Sequence, residues 1–428
     1  MNAPEPAPPT ESASARVNKR RPKLLFLAQT LPYPPDGGVQ IRTYNVMRLL
    51  AREFDVTALC FYRTGLLPTP KRVADSVHKL RELANIQEFP IPQEHSKPRL
   101  LLDHARSVLT GRAYTVTAYE SRAFRERLAG LLATTQFDIA HVDSLDLAGY
   151  LPLLQHLPVV CVHHNVESSL LRSRAETFSQ PLRAYMQHQA TLTEREERRC
   201  MPRLRLNVTV STDDARQLEQ LAPGSRFAVV PNGVDTAIFQ PADPPDAKGL
   251  VFVGGHSWQP NRDAMSFFCQ DILPVLRSLG TDPPITWVGS ASEDAKREYT
   301  SKYRVNLTGY VDDIRPYVHA AACYIAPLRA GGGTRLKILD AWAMGKAVVS
   351  TSVGCEGLEA RDGENILIRD TPEEFAAAIK ALLEDVDLRR RIARGARETA
   401  ERLYDWEVIG RDMIGHYRSI LSTPATTA

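Results

Sequence analysis

The sequence predicts an α/β protein built from two Rossmann-like, doubly wound parallel-sheet domains that face a central cleft. Its 428 residues exceed what one hydrophobic core usually accommodates. Short apolar runs alternate with amphipathic stretches, which is the pattern of parallel strands covered by helices on both faces. This alternation restarts after residue 235, so we expect a second sheet.

The first half carries four predicted strands, each an apolar run of strand length bounded by turn residues or a helical stretch. They cover 23–30, 55–62, 137–143 and 158–164. The first strand is followed by the turn LPYPPDGG, and then by a helix in which Val39, Tyr44 and Met47 recur at helical spacing.

Six further strands are predicted in the second half, with long helical tracts near 190–202 and 371–402. The strands cover 249–255, 285–290, 304–310, 323–327, 346–351 and 365–370. Between the halves, the segment 226–249 begins as a strand and continues as a stretch rich in Pro, Gly, Asn and Asp, which is typical of a linker. The predicted units are a disordered leader over 1–22, an N-terminal domain over 23–225, a linker over 226–248, a C-terminal domain over 249–405, and a final helix and tail over 406–428 that could pack back on the N-terminal domain.

Composition excludes some classes of partner and compartment. With 53 basic and 50 acidic residues the net charge is only +3, which gives no reason to expect nucleic acid. The six cysteines have no CxxC spacing, as expected of buried thiols in the cytoplasm. The Pro, Ala and Ser-rich start lacks the order of a secretory signal, and no run of about 18 apolar residues occurs. Any membrane contact is therefore expected to be peripheral.

A glycine turn between a predicted strand and a predicted helix is the main candidate site. Gly332 and Gly333, preceded by a third glycine, allow close backbone approach, and Thr334 is placed as the helix N-cap. Arg335 and Lys337 then fall inside the helix entrance, where cations oppose the helix dipole. A bound diphosphate would resolve that conflict. The alternative is a surface turn with two solvated cations.

The segments GGGTRLKILDAWAMGKAVVSTSVGCEGLE and VVPNGVDTAIFQP resemble the donor site and the hinge of retaining GT-B glycosyltransferases of family 4, the glycosyl transferases group 1. The resemblance covers about residues 23–420. It implies a nucleotide diphosphate sugar held mainly by the C-terminal domain, a glycan or lipid-linked acceptor held by the N-terminal domain, no cofactor and no metal. The stretch FLAQTLPYPPDGGVQIRTYNVMRLLA also resembles bacterial exopolysaccharide sugar transferases.

The resemblance assigns further residues to the site. It places Gly37 and Gly38 opposite the glycine turn, beside the donor phosphates or the acceptor. It aligns His164 with a histidine that faces the transferred sugar, and a strand's alternation turns His163 away. Weaker candidates are Asn165 and Glu167, directly after this strand.

The nucleobase would be read by backbone groups of Gly309, Tyr310 and Val311, and Glu356 is a weaker donor-site candidate. Family members commonly carry two glutamates around the donor helix, but here these positions hold Gly332 and Asp340. Asp340 remains a candidate for sugar or ribose hydroxyls, or an ordinary helix acid. Arg335 and Lys337 could replace the Arg and Lys that other members place near the first C-terminal strand, where only Arg262 is available.

Alternatives remain open at this stage. A nucleotide-sugar epimerase would need no acceptor, and a sugar-nucleotide binding protein would show no turnover. The stretches 95–114 and 194–206 mix cations with apolar residues, as helices on anionic membranes do, although solvated helix faces have the same composition.

Overall fold

The computed structural model describes residues 20–67, 69–242, 248–330 and 335–422. Two parallel sheets, of seven and six strands, account for the strands of these ranges. Every strand pair is parallel, and helices follow the strands in both halves. The predicted fold class, two doubly wound parallel-sheet domains, is therefore confirmed.

The N-terminal sheet has the strand order β3-β2-β1-β4-β5-β6-β7. Its strands are β1 Lys23–Ala28, β2 Asp55–Tyr62, β3 Asn85–Pro90, β4 Ile139–Val142, β5 Val159–His163, β6 Leu206–Thr209 and β7 Phe227–Val229. The helices of this half are α1 Gly38–Leu50, α2 Pro70–Leu80, α3 Lys97–Thr110, α4 Tyr114–Ala118, α5 Arg122–Thr134, α6 Glu167–Ala175, α7 Leu182–Cys200 and α8 Thr212–Leu221.

The C-terminal sheet has the order β10-β9-β8-β11-β12-β13. Its strands are β8 Leu250–Val253, β9 Ile285–Val288, β10 Val305–Leu307, β11 Cys323–Ala326, β12 Val348–Ser350 and β13 Leu367–Ile368. The remaining helices are α9 Gln259–Phe267, α10 Leu273–Ser278, α11 Glu293–Tyr303, α12 Arg315–Ala320, α13 Leu336–Ala343, α14 Pro372–Glu384, α15 Val386–Thr399 and α16 Trp406–Ser422.

Each sheet reverses its winding direction once, between β1 and β4 and between β8 and β11. Helices that follow adjacent strands diverge at such a point, which opens a crevice at the carboxyl ends of the strands. The loops after β1, β4, β8 and β11 therefore border the two crevices.

Two strands of the N-terminal sheet, β3 and β6, were not predicted. β3 is an edge strand with an exposed face, so it lacks a continuous apolar run. β6 is buried but only four residues long, and Asn207 interrupts its apolar pattern. The Asn207 amide is satisfied inside the protein by His163 Nε2 at 2.9 Å and by the Met201 carbonyl at 3.1 Å.

The chain crosses between the domains twice, and the two crossings lie side by side. The Val234 N–H donates to the Tyr404 carbonyl at 2.8 Å, and the Trp406 N–H donates to the Val234 carbonyl at 3.2 Å. Arg42 of α1 is buried beneath the first crossing and donates to the carbonyls of Val230 and Pro231. A pivot of this kind permits the domains to rotate while it keeps them paired.

The last helix, α16, packs on the N-terminal domain. Trp406, Ile409, Met413 and Tyr417 join the core cluster formed by β1, β2 and α1. All six cysteines are buried free thiols. None of the helices within the described ranges is both long and apolar enough to cross a bilayer.

Candidate functional site

The two domains meet where α1 and α13 begin. A Cβ added to Gly38 would lie 3.5 Å from Leu336 Cδ1, so the first residues of the two helices are in contact distance across the cleft. Gly37 caps α1 in an extended conformation, with φ −121°. Gly332, Gly333 and Thr334 lie outside the described residues. That Gly37 and Gly38 face the donor turn therefore stays a prediction, and the contact with Leu336 places Gly38 beside the helix that follows this turn.

Lys337 extends from α13 toward β8 and the first turn of α9. Its Nζ donates to Asn261 Oδ1 at 2.7 Å and lies 4.3 Å from the centroid of the Phe252 ring. Burial, with repulsion from Arg335, lowers the pKa of Lys337 to about 7. The ammonium therefore lies near the first C-terminal strand, where the resemblance implies that other family members place an Arg and a Lys.

Arg335 takes a different path from Lys337. It is the N-cap of α13, so it precedes the helix and is not inside it as predicted. Its buried guanidinium donates to the Val353 carbonyl at 3.3 Å and lies 3.9 Å from Glu356 Oε2. Burial lowers its pKa. The two cations thus frame the start of α13, one toward the first turn of α9 and one toward the segment after β12.

Asp340 lies one turn further along α13 and is partly buried. Burial raises its pKa to about 7. Near neutral pH this carboxyl is divided between its protonated and ionised forms, so it can donate a hydrogen bond as well as accept one. Both abilities suit a sugar or ribose hydroxyl.

The predicted nucleobase residues follow the edge strand β10. Gly309 has φ +84°, a left-handed conformation that favours glycine, and a Cβ there would lie 2.8 Å from Lys296 Nζ. Tyr310 is exposed and Val311 is partly buried. Arg262 is exposed on α9, on the neighbouring side of the sheet. These residues surround the carboxyl end of the sheet but form no hydrogen bond with one another in the described structure.

His164 follows β5 and is held by its neighbour in the sheet. Its Nε2 donates to the Asp143 carbonyl at 2.7 Å and lies 3.5 Å from Asp143 Oδ2. Because a carbonyl oxygen only accepts, Nε2 carries the proton, and Nδ1 of the neutral ring is an acceptor. His163 turns into the protein, as the alternation predicted, and burial lowers its pKa to about 4.

Asp143 is a candidate site residue that the sequence reasoning missed. It is fully buried after β4, and its Oδ2 accepts from Thr43 Oγ1 of α1 at 2.6 Å. Burial opposes its charge, but His164 above all, together with His141, holds its pKa well below the usual range. An anion is therefore fixed directly behind His164. The signal available in the sequence was its position as the first residue after a strand that borders the crevice.

The pocket beside His164 is acidic. Asn165 Nδ2 donates to Glu167 Oε1 at 3.1 Å, and Asp146 lines the same pocket. Burial, with repulsion from Glu167, raises the pKa of Asp146 to about 6. Glu167 and Asn165 therefore contact each other next to the predicted histidine, whereas Glu356 lies in the other domain beside Arg335.

A second cavity, of about 240 Å³, lies at the start of α1. Tyr33, Asp36, Gln40 and Arg63 are among its polar lining residues. It follows β1 and so lies at the same edge of the sheet as His164, which makes it a candidate acceptor pocket. Among the residues that the structure describes, no three His, Cys, Asp or Glu side chains are arranged to hold a metal ion; the absence of a metal requirement stays a prediction.

Two family models match the chain in the order of its domains. The model described as Glycosyltransferase Family 4 matches residues 36–238, and the model described as Glycosyl transferases group 1 matches residues 247–385. Together they span most of both sheets.

Curated relatives include a phosphatidyl-myo-inositol mannosyltransferase of Mycolicibacterium smegmatis, 29% identical over 49% of this chain and 56% of the relative. A D-inositol 3-phosphate glycosyltransferase of Acidothermus cellulolyticus is 30% identical over 52% of this chain and 54% of the relative. The chain thus spans little more than half the length of these curated relatives.

Solved structures match almost the whole chain. Sucrose-phosphate synthase from Thermosynechococcus elongatus superposes with a TM-score of 0.67 at 16% identity, over 94% of this chain and 99% of that one. The Anabaena protein HepE in complex with UDP gives a TM-score of 0.65 at 16% identity, over 93% and 100%. At this identity the likeness establishes the two-domain fold.

Proposed function

Since the chain belongs to the glycosyltransferases that join a family 4 domain to a group 1 domain, we propose that it transfers a sugar from a nucleotide diphosphate sugar to a glycan or glycolipid acceptor. The observation that carries the proposal is the position of Lys337. Its ammonium lies between the first C-terminal strand and the start of the helix that follows it, and its own helix begins opposite Gly38. One anion could contact Lys337 and both helix N-termini.

The diphosphate is the leaving group, so its negative charge increases as the sugar departs. Lys337 and the N–H groups at the start of α13 would stabilise that charge, and Arg335 would add its positive field from the other side. Each charge-assisted hydrogen bond contributes roughly 1.5–3 kcal/mol. Asp340 would hold a hydroxyl of the sugar or ribose.

His164 would face the transferred sugar from the N-terminal domain. Its Nδ1 can accept a hydrogen bond from a sugar hydroxyl, and Asp143 stabilises any positive charge that the ring gains. The acceptor hydroxyl would enter from the cavity at the start of α1 and attack from the side of the leaving group, with retention of configuration. Rotation about the paired crossings at Val234 and Tyr404 would close the cleft and exclude water.

The acceptor class is supported by two different features. The curated relatives bear names that refer to inositol lipids and inositol phosphates, and the segment around Gly37 resembles exopolysaccharide sugar transferases. We therefore place the reaction in the synthesis of a surface glycan or glycolipid. HepE, a structural neighbour, is described in complex with UDP-glucose, which makes uridine nucleotides the first donors to test.

The decisive experiment supplies UDP, GDP and ADP sugars with and without lipid extracts. Nucleoside diphosphate release that requires the acceptor, together with a glycosylated product of retained configuration, is the expected result. Donor isomerisation without an acceptor would indicate an epimerase, and binding without turnover would indicate a sensor. The Lys337→Met variant should lose donor binding, while Lys302→Met, which removes an exposed lysine of α11 in the same domain, serves as the matched control.

A further inference from the structure

Helix α3 turns an apolar side toward solvent. Leu101 is 71% exposed, Leu102 60% and Leu109 86%, and Val108 is also exposed. With Ala105 these side chains occupy an arc of about 120° on the helix, since successive residues are about 100° apart. We call them the leucine face. Soluble proteins rarely leave so many large apolar side chains together in water, and such patches mark interaction surfaces.

The opposite side of α3 is polar and held in place by hydrogen bonds. Arg99 Nη2 donates to the Glu120 carbonyl, outside α3, at 3.0 Å, and Asp103 on the same side of the helix is buried. The buried Ser107 hydroxyl donates to the Arg112 carbonyl at 2.7 Å and accepts from Gln189 Nε2 at 2.9 Å. Rotation of α3 to bury its leucines would break these bonds and expose buried polar groups. The leucine face is therefore fixed outward.

The turn between α6 and α7 extends this surface. His104 Nδ1 and the Tyr185 hydroxyl are 2.5 Å apart, and Ser107 contacts Gln189, so α3 and α7 run in the same direction. Leu182, one turn before Tyr185, is thus brought toward the start of α3. Leu182 is exposed, as is Phe178 in the same turn. Two elements from different parts of the chain therefore present apolar side chains to one side of the molecule.

Cations flank the apolar side chains. Lys97 and Arg106 are exposed on α3, and Arg174 and Arg183 are exposed beside the second element, where Glu176 is the exposed acid. An arrangement of leucines bordered by Lys and Arg is complementary to the interface of an anionic bilayer, which takes up apolar side chains and attracts positive charge.

The position of these elements links the surface to the site. α3 follows β3 and α6 follows β5, so both leave the carboxyl edge of the N-terminal sheet. His164 and the cavity at the start of α1 lie at this same edge.

We propose that the leucine face, together with Phe178 and Leu182, inserts into the interface of a membrane that contains anionic lipid, and that this contact brings a lipid-borne acceptor to the cavity at the start of α1. The docking surface stands on the geometry of α3 alone. Only the delivery of the acceptor rests on the proposed function.

The test measures binding of the full chain to vesicles. Cosedimentation with phosphatidylcholine vesicles that contain phosphatidylglycerol should be compared with vesicles of phosphatidylcholine alone. The double variant Leu102→Gln/Leu109→Gln should bind at least about tenfold more weakly, because two inserted side chains are lost. Both side chains are exposed, so the variant is expected to melt at the wild-type temperature. The matched control is Leu279→Gln/Val386→Gln, which changes two exposed apolar residues of the C-terminal domain.

A tryptophan provides a second readout. The emission of Leu109→Trp should shift to shorter wavelength on addition of anionic vesicles, whereas that of Val386→Trp should not. The proposal is overturned if the double variant binds as the wild type does, if anionic lipid has no effect, or if the leucines instead hold two copies together in light scattering. None of these measurements needs a donor, so an inactive protein that still binds vesicles would refute only the proposed function.

Discussion

Donor binding should take up a proton at Lys337. With its pKa lowered to about 7 by burial and by Arg335, this lysine is mostly neutral at pH 8 in the protein without ligand. The diphosphate of a nucleotide sugar is a diester and carries no proton near neutrality, and its negative charge restores the positive charge of Lys337. From the titration of a single group, about 0.9 proton is taken up per donor bound at pH 8 and about 0.1 at pH 6. The dissociation constant should rise up to about tenfold per pH unit above 7.

Titration calorimetry in buffers of different ionisation enthalpy measures this uptake directly. Lys337→Arg is the informative variant, because arginine stays charged throughout this range, so the uptake and the pH slope should both fall sharply. Asp340, whose pKa is raised to about 7, is a second group that could take up a proton when the anion binds. The Asp340→Asn variant isolates the lysine and should retain most of the uptake. Equal proton uptake by wild type and Lys337→Arg would refute the assignment of Lys337 to the diphosphate.

Three further results are expected. Asp143→Asn should lower kcat by about tenfold or more, because Asp143 positions His164, and should leave the donor Kd within about twofold; an unchanged kcat in steady-state assays contradicts this role. If the two residues act as one unit, Asp143→Asn/His164→Ala should be no slower than the slower single variant, and fully additive losses would show independent roles. Gly233→Ala should lower the free energy of unfolding, measured in urea, by about 1–3 kcal/mol, because its Cβ would lie 2.8 Å from the Tyr404 carbonyl oxygen. Gly415→Ala, whose Cβ would have nothing within 4 Å, should stabilise α16 by up to about 1 kcal/mol. Equal effects of the two substitutions on the free energy of unfolding would contradict this expectation.

The strands at the centre of each sheet were predicted correctly because they are buried on both faces, and such strands are continuous apolar runs in the sequence. β2, at Asp55–Tyr62, has the predicted bounds, and β1 and β5 differ from prediction only at their ends. The edge strand β3 has a solvated face, so its residue composition resembles that of a loop. The apolar pattern of a strand thus reflects its burial, and strands without such a pattern are not predicted.

The cations of the donor helix could be predicted as a pair, but their directions could not. One residue separates Arg335 from Lys337, yet Arg335 contacts the segment after β12 and Lys337 contacts the first turn of α9. Direction depends on packing against Asn261 and Phe252, which are distant in sequence. Asp143 was missed for a related reason: its role depends on Thr43, a hundred residues earlier.

The composition of the stretch 95–114 indicated a helix that mixes cations with apolar residues. It left open whether the helix faces a membrane or only solvent. A solvated helix and a membrane-facing helix have the same composition. The contacts of Arg99 with Glu120 and of Ser107 with Gln189 decide which side of α3 is turned outward. Tertiary hydrogen bonds here reverse the usual arrangement of an amphipathic helix.

The return of α16 to the N-terminal domain has a consequence for how the protein is made. The side chains that complete the N-terminal core belong to α16, which is synthesised after the C-terminal sheet, and the Tyr417 hydroxyl lies 2.5 Å from His141 Nδ1. The N-terminal domain therefore stays incompletely packed until α16 has been made. Removal of α16 would expose apolar core side chains of the N-terminal domain to water.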